Sequence, residues 1–66
     1  MALMKVIEIL TESGKSWEEA AQHAVDEASK TIRNIHSVYL HDLYATVKDG
    51  KIDRYRVNAK VTFEIE

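Results

Sequence analysis

The dipeptide Asp49-Gly50 constrains the fold of this 66-residue chain more than any other feature of its sequence. Two long runs rich in β-branched and aromatic residues flank it. A type I′ turn needs positive φ at both central residues, which Asp and Gly tolerate well. The sequence therefore predicts a β-hairpin with strands at residues 36–48 and 51–65, and a two-residue loop would also set its register.

The register that starts with Lys48 opposite Lys51 predicts one apolar face for the hairpin. Side chains alternate between the two sides of a strand, so every second residue points the same way. We expect this face to lie beneath a helix, with Tyr55 and Val57 continuing it. The predicted cross-strand pairs on it are Val38–Val61, Leu40–Ala59 and His36–Phe63.

The opposite face of the hairpin is predicted to be mixed. Its first half is polar and carries Ser37, Tyr39 and His41. Nearer the turn it becomes apolar beside Arg54 and Arg56, and one helix is too short to cover strands of this length. We therefore predict a subunit contact there, unless a β-bulge swaps the two faces. The predicted contact residues are Leu43, Ala45, Val47 and Ile52.

The first half of the chain predicts a strand followed by a helix. The apolar and β-branched run at residues 3–11 is typical of a strand. Ser16 and Glu19 have the spacing of a capping box, which predicts a helix over residues 17–33. The order is then β-α-β-β within one domain, residues 1–66. The stripe predicted to face the sheet is Ala21, Ala24, Val25, Ala28, Thr31 and Ile32.

Length and composition point to self-association. A chain this short buries only about 60% of the surface that its unfolded form exposes. It has no Cys, so disulfides and thiolate-bound metals do not supplement the core, and oligomerisation remains. The net charge of −2 is spread along the chain, which disfavours nucleic acid as a partner. Lys5 and Glu8 interrupt the N-terminal apolar run, so we expect neither a signal peptide nor a membrane span, and a cytoplasmic location.

No residue constellation typical of an enzyme is present, and we predict a non-enzymatic protein. The two glycines, Gly14 and Gly50, form no phosphate-binding loop, and no Ser lies in a nucleophile elbow. His36 and His41 are predicted to point to opposite faces of one strand, so they would not share an ion within one chain. Carboxylates at a symmetry interface are candidate ligands for calcium or another hard cation, although a solvated charged face is the favoured explanation. They are Glu8, Asp42, Asp53, Glu64 and Glu66.

The chain resembles the dodecin family over nearly its whole length. The resemblance rests on the β-α-β-β order, on "KVIEILTESGKSWEEAAQHAVDEASKTIRNI" and on the closing "YRVNAKVTFEIE". It implies an α+β fold in which a three-stranded antiparallel sheet curls around one helix. It also implies assembly of identical chains into a hollow homododecameric shell. The "SWEEAA" helix start is most similar to the branch described as calcium-binding dodecins.

The resemblance implies a flavin site with altered chemistry. Flavin-binding dodecins stack the isoalloxazine ring on a tryptophan shortly after the helix, and a glutamine of the third strand hydrogen-bonds its polar edge. These positions correspond to Ser37 and Arg56 here. Serine offers no stacking surface, and comparable stacking on bases is worth about 1–3 kcal/mol per contact. A glutamine side chain both donates and accepts hydrogen bonds, whereas the arginine at this position is a cation that only donates them. The resemblance also places Asp42 where some family members have an acid near the ribityl chain of the flavin. The candidate ligand-binding residues are therefore Ser37, Tyr39, Asp42, Tyr44 and Arg56.

Three hypotheses about function remain open. The first is a dodecin-like shell that binds or stores a small ligand or an ion and has lost the usual flavin site. The second is a dodecin that sequesters riboflavin or FMN by stacking it on Tyr39 or Tyr44. The third is a purely structural assembly module without a small ligand.

Overall fold

The computed structural model describes residues 3–65 and has the β-α-β-β order that the sequence predicts. The three strands form one antiparallel sheet in the order β1-β3-β2, with the helix on one side of it. The α+β fold is thus confirmed, while the ends of the predicted 1–66 domain lie outside the described residues. No helix within residues 3–65 is long and apolar enough to cross a membrane. The elements are β1 Leu3–Ser13, α1 Trp17–Ser29, β2 Ile35–Lys48 and β3 Lys51–Ile65.

The helix ends at Ser29, four residues before the predicted end at residue 33. Lys30 caps it, and the amide of Lys30 donates to the carbonyl of Glu27 in a tighter turn than that of an α-helix. The chain then turns through Asn34, whose φ of 61° starts the entry into β2. Thr31 therefore lies outside the helix and is exposed, contrary to its predicted place on the buried stripe.

The N-terminus of α1 forms half of the predicted capping box. The hydroxyl of Ser16 accepts a hydrogen bond from the amide of Glu19 at 3.0 Å, as expected. The carboxylate of Glu19, however, accepts from the hydroxyl of Ser13 at 2.8 Å instead of returning to Ser16. Ser13 is buried and also accepts from the amide of Lys15, so the end of β1 and the start of α1 are joined around one hydroxyl.

The core lies where the alanines of the helix meet alternate residues of β3. Ala20, Ala24, Val57 and Ala59 form its buried centre. Ala20 is fully buried although it was not part of the predicted stripe, because it lies at the stripe's edge one residue before Ala21. Small side chains let the helix approach the sheet closely while each contributes little burial. Half-buried residues that complete the core are Ile9, Trp17, Val38 and Leu40.

The hairpin turn and the centre of the sheet follow the predicted register. Asp49 and Gly50 have φ of 54° and 75°, so both central residues have the positive φ that a type I′ turn requires. Lys48 lies opposite Lys51, which makes Asp49 and Gly50 the whole loop. The predicted pairs that are confirmed are Val38–Val61 and Leu40–Ala59.

A bulge at His36 makes one predicted pair wrong. Ile35, not His36, lies opposite Phe63, and Ser37 lies opposite Thr62. One extra residue in β2 is left out of the ladder at this point, which the alternation of side chains along the sequence does not reveal.

A second bulge, at Asp42 and Leu43, changes the faces of β2 before the turn. Both residues lie opposite Val57 alone, and Asp42 has a φ of 57°, which Asp adopts more readily than most residues. The pairs that flank this bulge are His41–Asn58 and Tyr44–Arg56.

This second bulge overturns the predicted grouping of the contact residues. Ala45 now lies opposite Tyr55, on the helix side of the sheet, whereas Arg54 and Arg56 face the other side. An extra residue in β3, Asp53, then pairs Val47 with Ile52. Leu43, Ala45, Val47 and Ile52 therefore do not share the face of the two arginines as expected.

Candidate functional site

The side of the sheet away from α1, here called the open face, carries the polar residues of β3. Val57, Ala59 and Val61 are buried beneath the helix. Because side chains alternate, the residues between them point away from the helix. These open-face residues of β3 are Arg56, Asn58, Lys60 and Thr62.

Two arginines and one glutamate form the main charged cluster of the open face. Glu12 of β1 lies directly opposite Arg56 of β3. Its Oε1 accepts from Arg56 Nε at 3.0 Å and its Oε2 accepts from Arg54 Nε at 2.8 Å. Arg54 extends across Gly14, where an added Cβ would lie 3.3 Å from its Nη1. One carboxylate thus serves two guanidinium groups, and the cluster has a net positive charge.

The cluster holds its residues in their charged forms. Hydrogen bonds from Arg56 and then Arg54 lower the pKa of Glu12 below its usual value. The bond to Glu12, followed by one with the side chain of Tyr44, raises the pKa of Arg56. Since all three charged side chains are roughly half exposed, the value of these pairs lies in positioning more than in stability.

Tyr44 joins this cluster to the helix. It lies opposite Arg56 on the β2 side, so Arg56 is flanked by Glu12 on one strand and by Tyr44 on the other. The carbonyl of Tyr44 accepts a hydrogen bond from Trp17 Nε1 at 2.9 Å. The Trp17 ring packs edge-on against Tyr55, with centroids 4.8 Å apart and planes at 80°. Trp17 therefore fixes the backbone of Tyr44 from the helix side of the sheet.

A pocket of about 200 Å³ lies between Tyr44 and Arg56. Its walls include the ring of Tyr44, the cationic Arg56 and the exposed aliphatic side chain of Leu10. This volume is below the roughly 300–1,000 Å³ of pockets that enclose a whole drug-sized ligand. The pocket therefore fits a small molecule or one end of a larger one. Its lining residues are Leu10, Thr11, Glu12, Tyr44, Arg56 and Val57.

The structure brings together only part of the predicted ligand-binding set. Tyr44 and Arg56 meet, whereas Ser37 and Tyr39 lie farther along the open face, opposite Thr62 and Lys60. At about 3.3 Å per residue, Ser37 is roughly 20 Å from Arg56 and Tyr39 roughly 13 Å. Ser37 and Arg56 share a face as predicted but do not line one pocket within a single chain.

Asp42 lies beside His41 in the bulge and contacts it. Both ring nitrogens of His41 are within 3.1 Å of a carboxylate oxygen, Nε2 of Glu8 and Nδ1 of Asp42. The His41 ring also stacks on the ring of Tyr39, with centroids 6.1 Å apart. Asp42 thus belongs to a histidine-centred group next to the pocket and does not line it.

The prediction that His36 and His41 point to opposite faces is wrong. The bulge brings His36 Nε2 to 3.2 Å from Glu64, which alternates with Thr62 on the open face. The two histidines still lie roughly 16 Å apart along the strand, too far to share an ion.

The candidate cation ligands are scattered. Glu8 and Asp42 approach one another through His41, while Asp53 and Glu64 lie near opposite ends of β3. Glu66 lies outside the described residues. Within residues 3–65, no three His, Asp or Glu side chains are placed to hold one metal ion.

Sequence reasoning missed Glu12, the residue that organises the pocket. The turn residues Asp49-Gly50 set the pairing of β2 with β3, but no comparable signal sets the pairing of β1 with β3. Alternation along β1 indicates only that Leu10 and Glu12 point to the side of the strand opposite to Thr11. It does not indicate which residue of β3 lies beside Glu12. The pairing of Glu12 with Arg56 becomes visible once the β1 register is known.

Comparisons with known proteins agree with this fold. The dodecin family model matches residues 3–66. The calcium dodecin of Mycobacterium tuberculosis, described as a calcium-chelating immunodominant antigen with a novel calcium-binding site, has 34% sequence identity and a TM-score of 0.82, covering 97% of this chain and 91% of that chain.

Two further solved structures are similar over nearly their full length. Dodecin from Streptomyces coelicolor has 25% identity and a TM-score of 0.92, with 98% of this chain and 93% of that chain covered. A single-residue variant of dodecin from Thermus thermophilus has 26% identity and a TM-score of 0.94, with 100% and 98% covered. Comparison with curated proteins found no match. The match of the family model to residues 3–66, together with these folds, shows that this chain belongs to the dodecin family.

Proposed function

We propose that this chain is a non-enzymatic dodecin that forms a homododecameric shell in the cytoplasm and holds a small ligand or ion on its open face, without a stacked flavin. The observation that carries the proposal is the separation of Ser37 from the pocket. The residue at the expected stacking position is an exposed serine, and the pocket that the chain does form lies roughly 20 Å away at Tyr44 and Arg56.

The small core supports self-association. Within residues 3–65, the buried hydrophobic residues are five alanines and only two larger residues, Val57 and Val61. Meanwhile Val47 and Ile52, which pair at the tip of the hairpin, are 68% and 54% exposed. A chain that buries so little and exposes paired aliphatic side chains is stabilised by a neighbouring copy. Leu43, Ala45, Val47 and Ile52 remain the proposed contact residues.

A hard cation such as calcium is one ligand that this shell would hold. Glu8 and Asp42 are the two carboxylates that meet around His41. Calcium takes about six to eight oxygen ligands, so a site here would need oxygens from a second chain. The calcium dodecin relative supports this choice of ion without assigning its ligands here.

A flavin-binding function has one observation in its favour. Tyr44 forms a wall of the pocket and is 46% exposed, and Tyr39 is exposed on the same face. Either ring offers a stacking surface that Ser37 lacks. This alternative predicts quenching of riboflavin fluorescence on binding, which depends on the tyrosine that stacks.

Native mass spectrometry of freshly purified protein, followed by riboflavin titration, tests the proposal. We expect twelve chains per particle, extra mass from a small ligand or ion, and no quenching of riboflavin. Particles of protein mass alone would favour a purely structural module, and strong quenching would favour the flavin alternative. A monomer at all concentrations would contradict the shell itself. The variant Ser37→Trp is a matched positive control, since it restores the stacking side chain at the family position.

A further inference from the structure

We infer that the pocket between Tyr44 and Arg56 takes an organic anion, a phosphate or carboxylate group carried on a small apolar ring, and that Glu12 limits its affinity. This inference rests on the proposed function, because it names the ligand class of the same open face. It concerns the charge and the hydrogen-bond donors of the cluster around Glu12.

Charge is the first argument. Glu12 carries one negative charge and divides it between Arg54 and Arg56, at 2.8 and 3.0 Å. Among residues 3–65, Glu12 is the only carboxylate within ion-pair distance of either guanidinium. One positive charge is therefore left over at the pocket, which favours an anion and repels a cation.

The second argument is the supply of hydrogen-bond donors. Glu12 engages the Nε of Arg56 at 3.0 Å, and Tyr44 lies directly opposite Arg56 on the neighbouring strand. A guanidinium has more N–H groups than these contacts use, arranged in a fork that matches a carboxylate or a phosphate. Arg56 lines the pocket and therefore presents this fork to an incoming anion.

Glu12 also argues against calcium at this position. Each of its two oxygens already accepts from an arginine. Calcium binds through carboxylate and carbonyl oxygens, and Glu12 is the only carboxylate that lines the pocket. A cation on the open face would therefore bind near Glu8 and Asp42 and leave this pocket to the anion.

The walls of the pocket define the rest of the ligand. Tyr44 supplies a ring and Leu10 an exposed aliphatic side chain. A small ring attached to the anionic group would cover these surfaces. The volume of about 200 Å³ limits the ligand to a body of this size unless a second chain enlarges the site.

The test is isothermal titration calorimetry with phenyl phosphate, with inorganic phosphate as the ligand that lacks the ring. We expect saturable binding of phenyl phosphate, tighter than that of inorganic phosphate. Arg56→Gln should weaken it at least about tenfold, because a charged hydrogen-bond donor is lost. The matched control is Lys60→Gln, which removes the same charge from the same face of β3 and should change affinity less than about twofold.

Two further variants test the role assigned to Glu12. Glu12→Gln removes the competing carboxylate and should tighten binding several-fold. Arg54→Gln leaves Glu12 to neutralise Arg56 alone and should weaken binding although Arg54 does not line the pocket. Three results would each overturn the inference. They are no saturable binding of phenyl phosphate by the wild type, equal losses of affinity in Lys60→Gln and Arg56→Gln, and no gain of affinity in Glu12→Gln. Misfolding of an arginine variant could mimic a loss of binding. The inference also predicts tighter binding by Glu12→Gln, which misfolding does not produce, so this variant still tests it.

The same samples separate this inference from the shell. A dodecamer in native mass spectra that binds no phenyl phosphate would refute the anion site alone. Phenyl phosphate binding that depends on Arg56 in a chain that does not assemble would refute the shell alone.

Discussion

Replacing Ala24 by glycine tests how closely the helix packs on the sheet, and thereby what holds Trp17 against Tyr44. Ala24 is fully buried and contacts a core cluster that includes Val57 and Ala59. Two effects are expected to add. Glycine in a helix interior costs about 1 kcal/mol relative to alanine. Loss of one buried methyl group costs about 0.8 kcal/mol more.

The matched control compares alanine with glycine at an exposed position of the same helix. Gln22 is exposed, and its hydrogen bond to Asp26 is lost equally in Gln22→Ala and Gln22→Gly. The difference between those two variants should therefore be the backbone effect alone, about 1 kcal/mol. Ala24→Gly should cost about 1.8 kcal/mol, and the excess of about 0.8 kcal/mol measures the packing of the methyl group.

The free energy of unfolding is measured from urea denaturation, followed by far-UV circular dichroism and by the fluorescence of Trp17, the only tryptophan in the chain. Protein concentration must be constant because association stabilises the folded chain. Equal costs at positions 22 and 24 would refute the close contact of the helix with Val57 and Ala59. If Ala24→Gly altered the unfolding curve followed by Trp17 fluorescence but not the curve followed by circular dichroism, the perturbation would instead lie at the helix start alone.

Three other predictions address the charged cluster, the assembly and the flavin alternative. The lowered pKa of Glu12 means that its stabilising interaction is complete above its ordinary value of 4.5 and is lost as pH falls through the lower folded value, so Glu12→Gln should flatten the loss of stability as pH falls below 4.5. Val47→Asp should reduce particle size in light scattering, whereas Lys48→Ala on the same hairpin should not; an unchanged Val47→Asp particle would contradict the proposed contact. Riboflavin should keep its fluorescence on titration with wild-type protein because Ser37 offers no ring, and quenching that disappears in Tyr44→Ala would instead establish stacking by tyrosine.

The features that the sequence predicted correctly depend on residues close together in the chain. Asp49-Gly50 needs only its own backbone preferences to form the turn, and Lys48 lies opposite Lys51 as a two-residue loop requires. Ser16 caps the helix through the amide of Glu19, three residues ahead. Local chemistry of this kind is visible in one sequence because its partners have fixed spacing.

The features that the sequence did not predict depend on distant partners. The helix ends at Ser29 without a glycine or proline signal, because the chain must turn at Asn34 to enter β2. The pairing of Glu12 with Arg56 requires the register of β1, which no turn sets. His36 contacts Glu64 only because a bulge removes it from the ladder.

The bulge at Asp42 and Leu43 is what builds the pocket. Without it, alternation along β2 would place Leu43 on the side of Arg56 and turn Tyr44 toward the helix. With two residues opposite Val57, Tyr44 instead lies across from Arg56, where its ring becomes a wall of the pocket. The same one-residue insertion sends Ala45 to the helix side, opposite Tyr55. The aromatic wall of the ligand site and the displacement of Ala45 therefore have one cause, and a bulge that forms one also produces the other.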